Sequence, residues 1–334
     1  MGGILATKFY VFPKLRMMIM MAIAQDRKEK NSPTELKSWP QRIGVQRSWL
    51  WRGWQIRYSF WRSSDRRGRS PILLLHGFGA ALEHWRGLIP QLAQDRDVYA
   101  VDLLGFGGSR KGEANFGVPL WTEQLEDFLR LVVRRPVILL GNSLGSLVCA
   151  TLGQNPKNQV QAIALLSVPD VAQRQAMLPK PLRPIVNGLE RSAMQPWLLK
   201  LIFRLARQPL VLKNWLKLAY PSWPEIDAEL LAIVQAPTCD QDADTAFVAL
   251  SRRVGQPGFA PPMAEVLAQV QCPIFILWGE QDRFVPVAIA PKLAATNPQI
   301  NLTVLPGLGH CPQDEAPAQI YELFSQWLEA TNGL

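Results

Sequence analysis

The chain of 334 residues is 48% hydrophobic and 19% charged, enough apolar material for one large domain with an insertion or for two small domains. Its net charge of +9 permits attraction to anionic membranes or nucleic acid, but no zinc-finger spacing and no RNA-binding aromatic motif occurs. Four cysteines without paired spacing indicate reduced thiols, and three histidines are too few for a histidine-rich metal site. We therefore expect neither a nucleic-acid partner nor a metal.

Residues 1–40 are predicted to form a disordered extension that is basic and apolar. Three cations precede the apolar run 17–24, which is too short to span a bilayer. Three interpretations stay open: a secretory signal peptide, a start codon assigned too far upstream, or a basic tail that touches a membrane. We favour a cytoplasmic protein over a secreted one.

From residue 45 onward the sequence alternates between strand and helix patterns. Aromatic and β-branched residues on both sides of Gly53 predict an antiparallel hairpin. Continuous apolar runs, typical of strands buried on both faces, then alternate with helical periodicity. The predicted strands lie at 71–75, 98–101, 136–140, 163–166, 273–278 and 302–305, and the predicted helices at 85–93, 121–133, 144–152 and 318–330. This order predicts a mostly parallel, doubly wound α/β sheet.

The alternation stops between residues 168 and 262, where Trp-, Leu- and Pro-rich helical segments predict an inserted cap. The predicted division is an extension at 1–40, a core in two parts at 41–167 and 263–334, and a helical cap, or lid, at 168–262.

One cap helix carries Lys200, Arg204 and Arg207 on a single stripe beside a broad apolar face. An apolar face turned inward suits a bulky hydrophobic substrate, and a basic stripe turned outward suits an anionic membrane surface. A helix that simply packs on the core explains the same pattern.

The motif Gly141-x-Ser143-x-Gly145 stands between a predicted strand and a predicted helix. A serine on such an abrupt turn needs small residues two positions away on each side, because the backbones crowd there. The turn exposes the serine Oγ and places the N–H of Leu144 at a helix N-terminus, where it can face an oxyanion. The motif alone also fits a glycine-flanked turn with an ordinary hydroxyl, so its partners decide the interpretation.

A base and a carboxylate follow the serine in the chain. His310 comes directly after the last predicted strand, at the same sheet edge as Ser143. Asp282 follows the strand at 273–278 and is our choice for the group that orients the base; Glu280 and Asp170 are its rivals.

The remaining site residues are assigned by position. The second oxyanion donor is predicted to be the N–H of Phe78, in the glycine-flanked turn after the strand at 71–75. We interpret His76 as a structural residue beneath that turn, and Asp314 and Glu315 as caps of the last helix.

These motifs together resemble the α/β-hydrolase superfamily over about residues 45–332. They are His76-Gly77-Phe78-Gly79, the glycine-rich turn from Asp102 to Ser109, Gly141-Asn142-Ser143-Leu144-Gly145, Gly279-x-x-Asp282 and Gly309-His310. Within the superfamily, Gly-Asn-Ser-Leu-Gly and residues 309–317 are most similar to the pheophytinase and chlorophyll dephytylase branch. That branch hydrolyses the phytyl ester of chlorophyll or pheophytin, which implies contact with the thylakoid membrane. The sequence departs from the branch at His76 and Ser146, where proline and glycine are expected.

We therefore predict a serine hydrolase that cleaves a small hydrophobic carboxylic ester through an acyl-enzyme on Ser143. His310 serves as base and then acid, Asp282 orients it, and the N–H groups of Phe78 and Leu144 hold the oxyanion. No cofactor is required. The alternatives are a lipase-like carboxylesterase, a carbon–carbon bond hydrolase, a perhydrolase, or a non-catalytic pigment- or lipid-binding protein of the same fold. Membrane contact through the cap or the N-terminus is a further expectation.

Overall fold

The computed structural model describes residues 39–65, 68–171 and 194–331. The predicted extension, apart from residues 39 and 40, lies outside the described residues, and so does the part of the predicted cap at 172–193. Within the described ranges, no helix is long and apolar enough to cross a membrane.

Eight strands form a single sheet. They are β1 (Val45–Trp51), β2 (Trp54–Trp61), β3 (Ile72–Leu75), β4 (Val98–Val101), β5 (Val137–Asn142), β6 (Val160–Leu166), β7 (Ile274–Gly279) and β8 (Ile300–Leu305). The spatial order is β1-β2-β4-β3-β5-β6-β7-β8. The hairpin β1–β2 and the pair β2–β4 are antiparallel, and all other pairs are parallel. The predicted mostly parallel sheet is confirmed.

The helices of the described chain are α1 (Ile89–Leu92), α2 (Val118–Phe128), α3 (Leu144–Gly153), α4 (Pro196–Ala206), α5 (Pro209–Ala219), α6 (Ala228–Gln235), α7 (Ala243–Arg253), α8 (Met263–Gln269), α9 (Ala290–Ala294), α10 (Pro312–Glu315) and α11 (Pro317–Ala330). The helix predicted at 85–93 is instead a 3₁₀ turn, Leu82–Trp85, followed by α1. Pro90 lacks an N–H and is tolerated only in the first turn, so the α-helix begins beside it.

The sheet separates two hydrophobic clusters. Successive residues of β3 enter opposite clusters, Leu73 and Leu75 one and Ile72 and Leu74 the other, and all four are fully buried. This two-sided burial explains why the strand reads as a continuous apolar run.

Helices α4 to α8 lie between β6 and β7 in the chain. Helices α4 and α5 each begin at a proline, which fits the first helical turn. Leu199 of α4 is buried, whereas Trp197, Leu201 and Leu205 are exposed. Part of the apolar face of this helix is therefore turned to solvent, because apolar residues occupy too much of its circumference to pack on one neighbour. The assignment of 168–262 as a cap stays a prediction.

His84 makes the stability of the fold sensitive to acid. Burial, and after it the charge of Arg86, lowers the pKa of His84 to about 3. The unfolded chain binds this proton with a pKa near 6.5, so the unfolded state gains protons first as the pH falls. We expect His84 to reduce the free energy of unfolding by about 2 kcal/mol between pH 6.5 and pH 5. Urea denaturation of the wild type and His84→Asn checks this, and an equal pH dependence in both proteins would contradict it.

Candidate active site

Ser143 occupies a strained turn between β5 and α3. Its φ of +53° and ψ of −114° are uncommon for a residue with a side chain. A Cβ at Gly141 would lie 2.5 Å from the carbonyl of Gly145, and one at Gly145 would lie 2.7 Å from the carbonyl carbon of Leu75. The small residues of the motif are therefore required by close backbone packing around the serine.

The backbone on both sides of Ser143 is fixed by hydrogen bonds. Its N–H donates to the Leu166 carbonyl at 2.8 Å, and its carbonyl accepts from the Ser146 N–H at 3.0 Å. Leu144 is the first residue of α3, so its N–H has no carbonyl partner one turn back within the helix. The N–H lies at the partly positive end of the helix dipole, which favours an anion.

The turn that carries Phe78 passes directly beside the serine. A Cβ at Gly77 would lie 3.2 Å from Ser143 Cβ and 3.0 Å from Asn142 Oδ1. The Phe78 side chain is 48% exposed, and its ring centroid lies 5.4 Å from that of Phe106. Both residues predicted to supply oxyanion donors, Phe78 and Leu144, thus flank Ser143; the role of their N–H groups stays a prediction.

His76 stabilises this turn through hydrogen bonds of both its ring nitrogens. Its buried Nε2 accepts from the Leu103 N–H at 3.1 Å, so Nδ1 carries the proton and donates to the Gly77 carbonyl at 2.8 Å. Burial lowers the pKa of His76, which favours this neutral form. The contacts agree with a structural role.

Asp282 and His310 form a hydrogen-bonded pair in the loops after β7 and β8. Asp282 Oδ2 lies 2.8 Å from His310 Nδ1. The other carboxylate oxygen, Oδ1, accepts from the N–H groups of Phe284 at 2.8 Å and Val285 at 2.9 Å. Three hydrogen bonds therefore hold a nearly buried carboxylate against one nitrogen of the imidazole, which leaves Nε2 for proton transfer.

The rival carboxylate Glu280 makes a different contact. Its Oε2 accepts from the Gly307 N–H at 3.3 Å. Ser143 Oγ forms no hydrogen bond with His310 in the structure, a contact that in serine hydrolases often tightens only when substrate binds.

Asn142, the residue before the serine, links the serine turn to the loop that carries His310. Its Nδ2 donates to the His310 carbonyl at 2.9 Å, and the His310 N–H donates to the Ala219 carbonyl at the end of α5, also at 2.9 Å. The sequence predicts no proton-transfer role for Asn142, and no local pattern marks its partner 168 residues away.

Asp314 and Glu315 do not cap the last helix. The buried Asp314 carboxylate accepts from Arg86 Nη1 at 2.7 Å and from the Tyr220 hydroxyl at 3.0 Å. Glu315 accepts from the Gly309 N–H at 2.9 Å. The capping interpretation is wrong because Asp314 instead binds the Arg86 guanidinium and the Tyr220 hydroxyl, and Glu315 binds the Gly309 N–H and the Ser222 hydroxyl. The residue before the last helix is Ala316, and no side chain caps that helix.

Aromatic rings extend from His310 toward solvent. The Phe284 ring centroid lies 5.2 Å from that of His310, and Trp215 of α5 stacks on Phe284 at 5.0 Å with an interplanar angle of 8°. Trp215 is 42% exposed. Helix α5 thus supplies an aromatic surface near the imidazole.

In the part of the chain that the structure describes, no group of three or more His, Cys, Asp or Glu side chains is arranged to hold a metal ion.

Comparison with known proteins gives one family and several distant relatives. A sequence model described as "Alpha/beta hydrolase family" matches residues 72–323. The chain is 26% identical over 262 residues to the dihydrolipoyllysine-residue acetyltransferase component of the acetoin cleaving system of Pseudomonas putida, covering 78% of this chain but only 64% of that protein. It is 25% identical to 2-hydroxy-6-oxo-6-(2'-aminophenyl)hexa-2,4-dienoic acid hydrolase of Metapseudomonas resinovorans, covering 74% of this chain and 80% of that enzyme.

Among solved structures, a bacterial membrane phospholipase A superposes with a TM-score of 0.71 at 22% identity. The superposition covers 97% of this chain and 94% of that one. At this identity the likeness shows a shared fold.

Proposed function

The chain belongs to the alpha/beta hydrolase family, and on this premise we propose that it is a serine hydrolase that cleaves a carboxylic ester through an acyl-enzyme on Ser143. The observation that carries the proposal is the hydrogen bond between Asp282 and His310, formed at the same sheet edge as a serine on a strained strand-to-helix turn.

The reaction has two halves, acylation of Ser143 and hydrolysis of the acyl-enzyme, and Ser143, His310 and Asp282 act in both. His310 Nε2 takes the proton of Ser143 Oγ as the oxygen attacks the ester carbonyl carbon. The carbonyl oxygen becomes an oxyanion and accepts from the N–H groups of Phe78 and Leu144. Collapse of the intermediate breaks the ester C–O bond, and the alcohol leaves with the proton from His310.

Water then completes the cycle. His310 takes a proton from the water molecule, the hydroxide attacks the acyl carbon, and Ser143 Oγ leaves with that proton while the acid is released. Asp282 keeps the imidazole in one tautomer and stabilises its positive charge in both halves.

We propose an ester with a large apolar part, and the phytyl ester of chlorophyll or pheophytin as the first candidate. The half-exposed rings of Phe78 and Trp215 stand near the serine and the imidazole and offer apolar contact to such a group. The similarity of Gly141-Asn142-Ser143-Leu144-Gly145 and of residues 309–317 to the chlorophyll-dephytylating branch supports the phytyl group.

A second candidate is hydrolysis of a carbon–carbon bond. It is favoured by the similarity to the dienoic acid hydrolase of Metapseudomonas resinovorans over 80% of that enzyme.

A substrate panel separates these candidates. Purified wild type and Ser143→Ala are given chlorophyll a, pheophytin a, p-nitrophenyl esters from acetate to palmitate, and a 2-hydroxy-6-oxo-dienoate. We expect wild type, and not Ser143→Ala, to release phytol and to prefer long p-nitrophenyl esters to acetate. Cleavage of short esters alone would overturn the phytyl ester as substrate but leave ester hydrolysis as the reaction. Cleavage of the dienoate alone would overturn ester hydrolysis as well and favour the carbon–carbon bond hydrolase.

A further inference from the structure

Helix α4 presents an apolar stripe to solvent. Trp197, Leu201 and Leu205 are spaced four residues apart and are 68%, 45% and 41% exposed. The opposite side of the helix is anchored, because Leu199 is buried and the Phe203 ring lies 5.0 Å from that of Phe247 in α7. Helix α4 therefore packs on α7 through this opposite side, and the exposed stripe takes no part in that packing.

The stripe lies in a strongly cationic part of the chain. Residues 194–219, which contain α4 and α5, include five Lys or Arg residues and no Asp or Glu. These five are Lys200, Arg204, Arg207, Lys213 and Lys217.

Two of the cations border the stripe itself. Lys200 and Arg204 are exposed and precede Leu201 and Leu205 by one residue, on the adjoining strip of the helix surface. Lys200 Nζ lies 3.1 Å from Asp244 Oδ2, but both side chains are more than 40% exposed, so water and salt screen the pair.

From this arrangement we propose that residues 194–219, the docking segment, bind the surface of an anionic lipid membrane. Tryptophan and leucine insert at the boundary between headgroups and acyl chains, while the bordering cations attract anionic headgroups. A second copy of the chain fits the surface poorly, because a two-fold interface would bring two sets of these cations face to face.

The docking segment also contacts the candidate active site. Trp215 stacks on Phe284 beside His310, and the Ala219 carbonyl accepts from the His310 N–H. A membrane bound there would deliver a lipid-borne ester near Ser143. This consequence rests on the proposed function, whereas membrane binding itself does not.

The test is co-sedimentation of the full chain with vesicles, using Ser143→Ala so that turnover plays no part. One set of vesicles is phosphatidylcholine alone, and the other contains an equal part of phosphatidylglycerol. We expect binding to the anionic vesicles at least about tenfold stronger than to the neutral ones, and a further loss of about tenfold or more in Trp197→Asp and in Leu201→Asp. The matched control is Leu131→Asp, which changes an equally exposed leucine outside the segment and should bind as before.

Each other outcome overturns the proposal. These outcomes are no binding by the parent protein, binding that Trp197→Asp leaves intact, an equal loss in Leu131→Asp, or a dimer that Trp197→Asp dissolves without any vesicle binding. Turnover of p-nitrophenyl butyrate by otherwise wild-type Trp197→Asp monitors the site separately and should match wild type. Vesicle binding without ester turnover would contradict the proposed function but still support membrane binding by the docking segment.

Discussion

Replacing His310 with alanine is expected to lower kcat/KM for ester hydrolysis by about 10⁴-fold or more while the protein stays folded. The imidazole is held by Asp282 at 2.8 Å and is the one group placed to take the proton of Ser143 in the proposed mechanism. A serine hydroxyl without a base is a poor nucleophile, so the loss falls on kcat rather than on KM. Steady-state kinetics with a p-nitrophenyl ester, together with thermal unfolding, measure both effects.

The double variant Ser143→Ala/His310→Ala should be no slower than either single variant, because the two residues act as one unit. Additive losses would show that they act independently.

The neighbouring carboxylates supply a matched control for the role of Asp282. Asp282→Asn should lower kcat by about 10⁴-fold, because an amide cannot hold the imidazole in the required tautomer and charge state. Glu280→Gln removes a charge only two residues from Asp282. Among the hydrogen bonds described, the Glu280 side chain contacts only the Gly307 N–H, so this variant should leave kcat close to wild type. Equal losses in the two variants would remove Asp282 from the mechanism.

Gly145→Ala is expected to destabilise the protein by about 3 kcal/mol or more, or to prevent folding altogether. The new Cβ would lie 2.7 Å from the Leu75 carbonyl carbon and 2.8 Å from the His76 carbonyl oxygen. Both are backbone atoms at the end of β3, so α3 and the sheet would have to separate. Urea denaturation, or soluble yield where the variant does not fold, measures the effect.

Gly153→Ala, at the other end of α3, is the control for this prediction. Its Cβ would meet the tip of the Ile163 side chain, which can move to another rotamer. The expected cost is about 1 kcal/mol. Similar costs for the two variants would mean that the close backbone packing at the serine turn does not limit the fold.

The strands were predictable because burial on both faces leaves a plain signal. The run at 98–101 becomes β4 with the same bounds, and the hairpin around Gly53 forms as expected. The helix at 85–93 was mispredicted because Pro90 overrode an apolar periodicity that continues through it.

The candidate site was predictable as far as it depends on chain order and sheet edge. Asp282 and His310 follow neighbouring parallel strands, which is why their contact could be anticipated from two short motifs. The bonds from Asn142 to the His310 loop and from Arg86 to Asp314 could not, because they join residues 168 and 228 positions apart and have no periodic signature. The outward stripe of α4 was likewise hidden, since periodicity shows an apolar face but not what it packs against.

The most direct test of Ser143 as the nucleophile is covalent labelling by a fluorophosphonate, read by intact mass and peptide mapping. Folded wild type should gain one adduct on Ser143, Ser143→Ala should gain none, and His310→Ala should react far more slowly. An adduct on another residue, such as the buried Ser146 three positions further along the chain, or no adduct on folded protein, would contradict the mechanism.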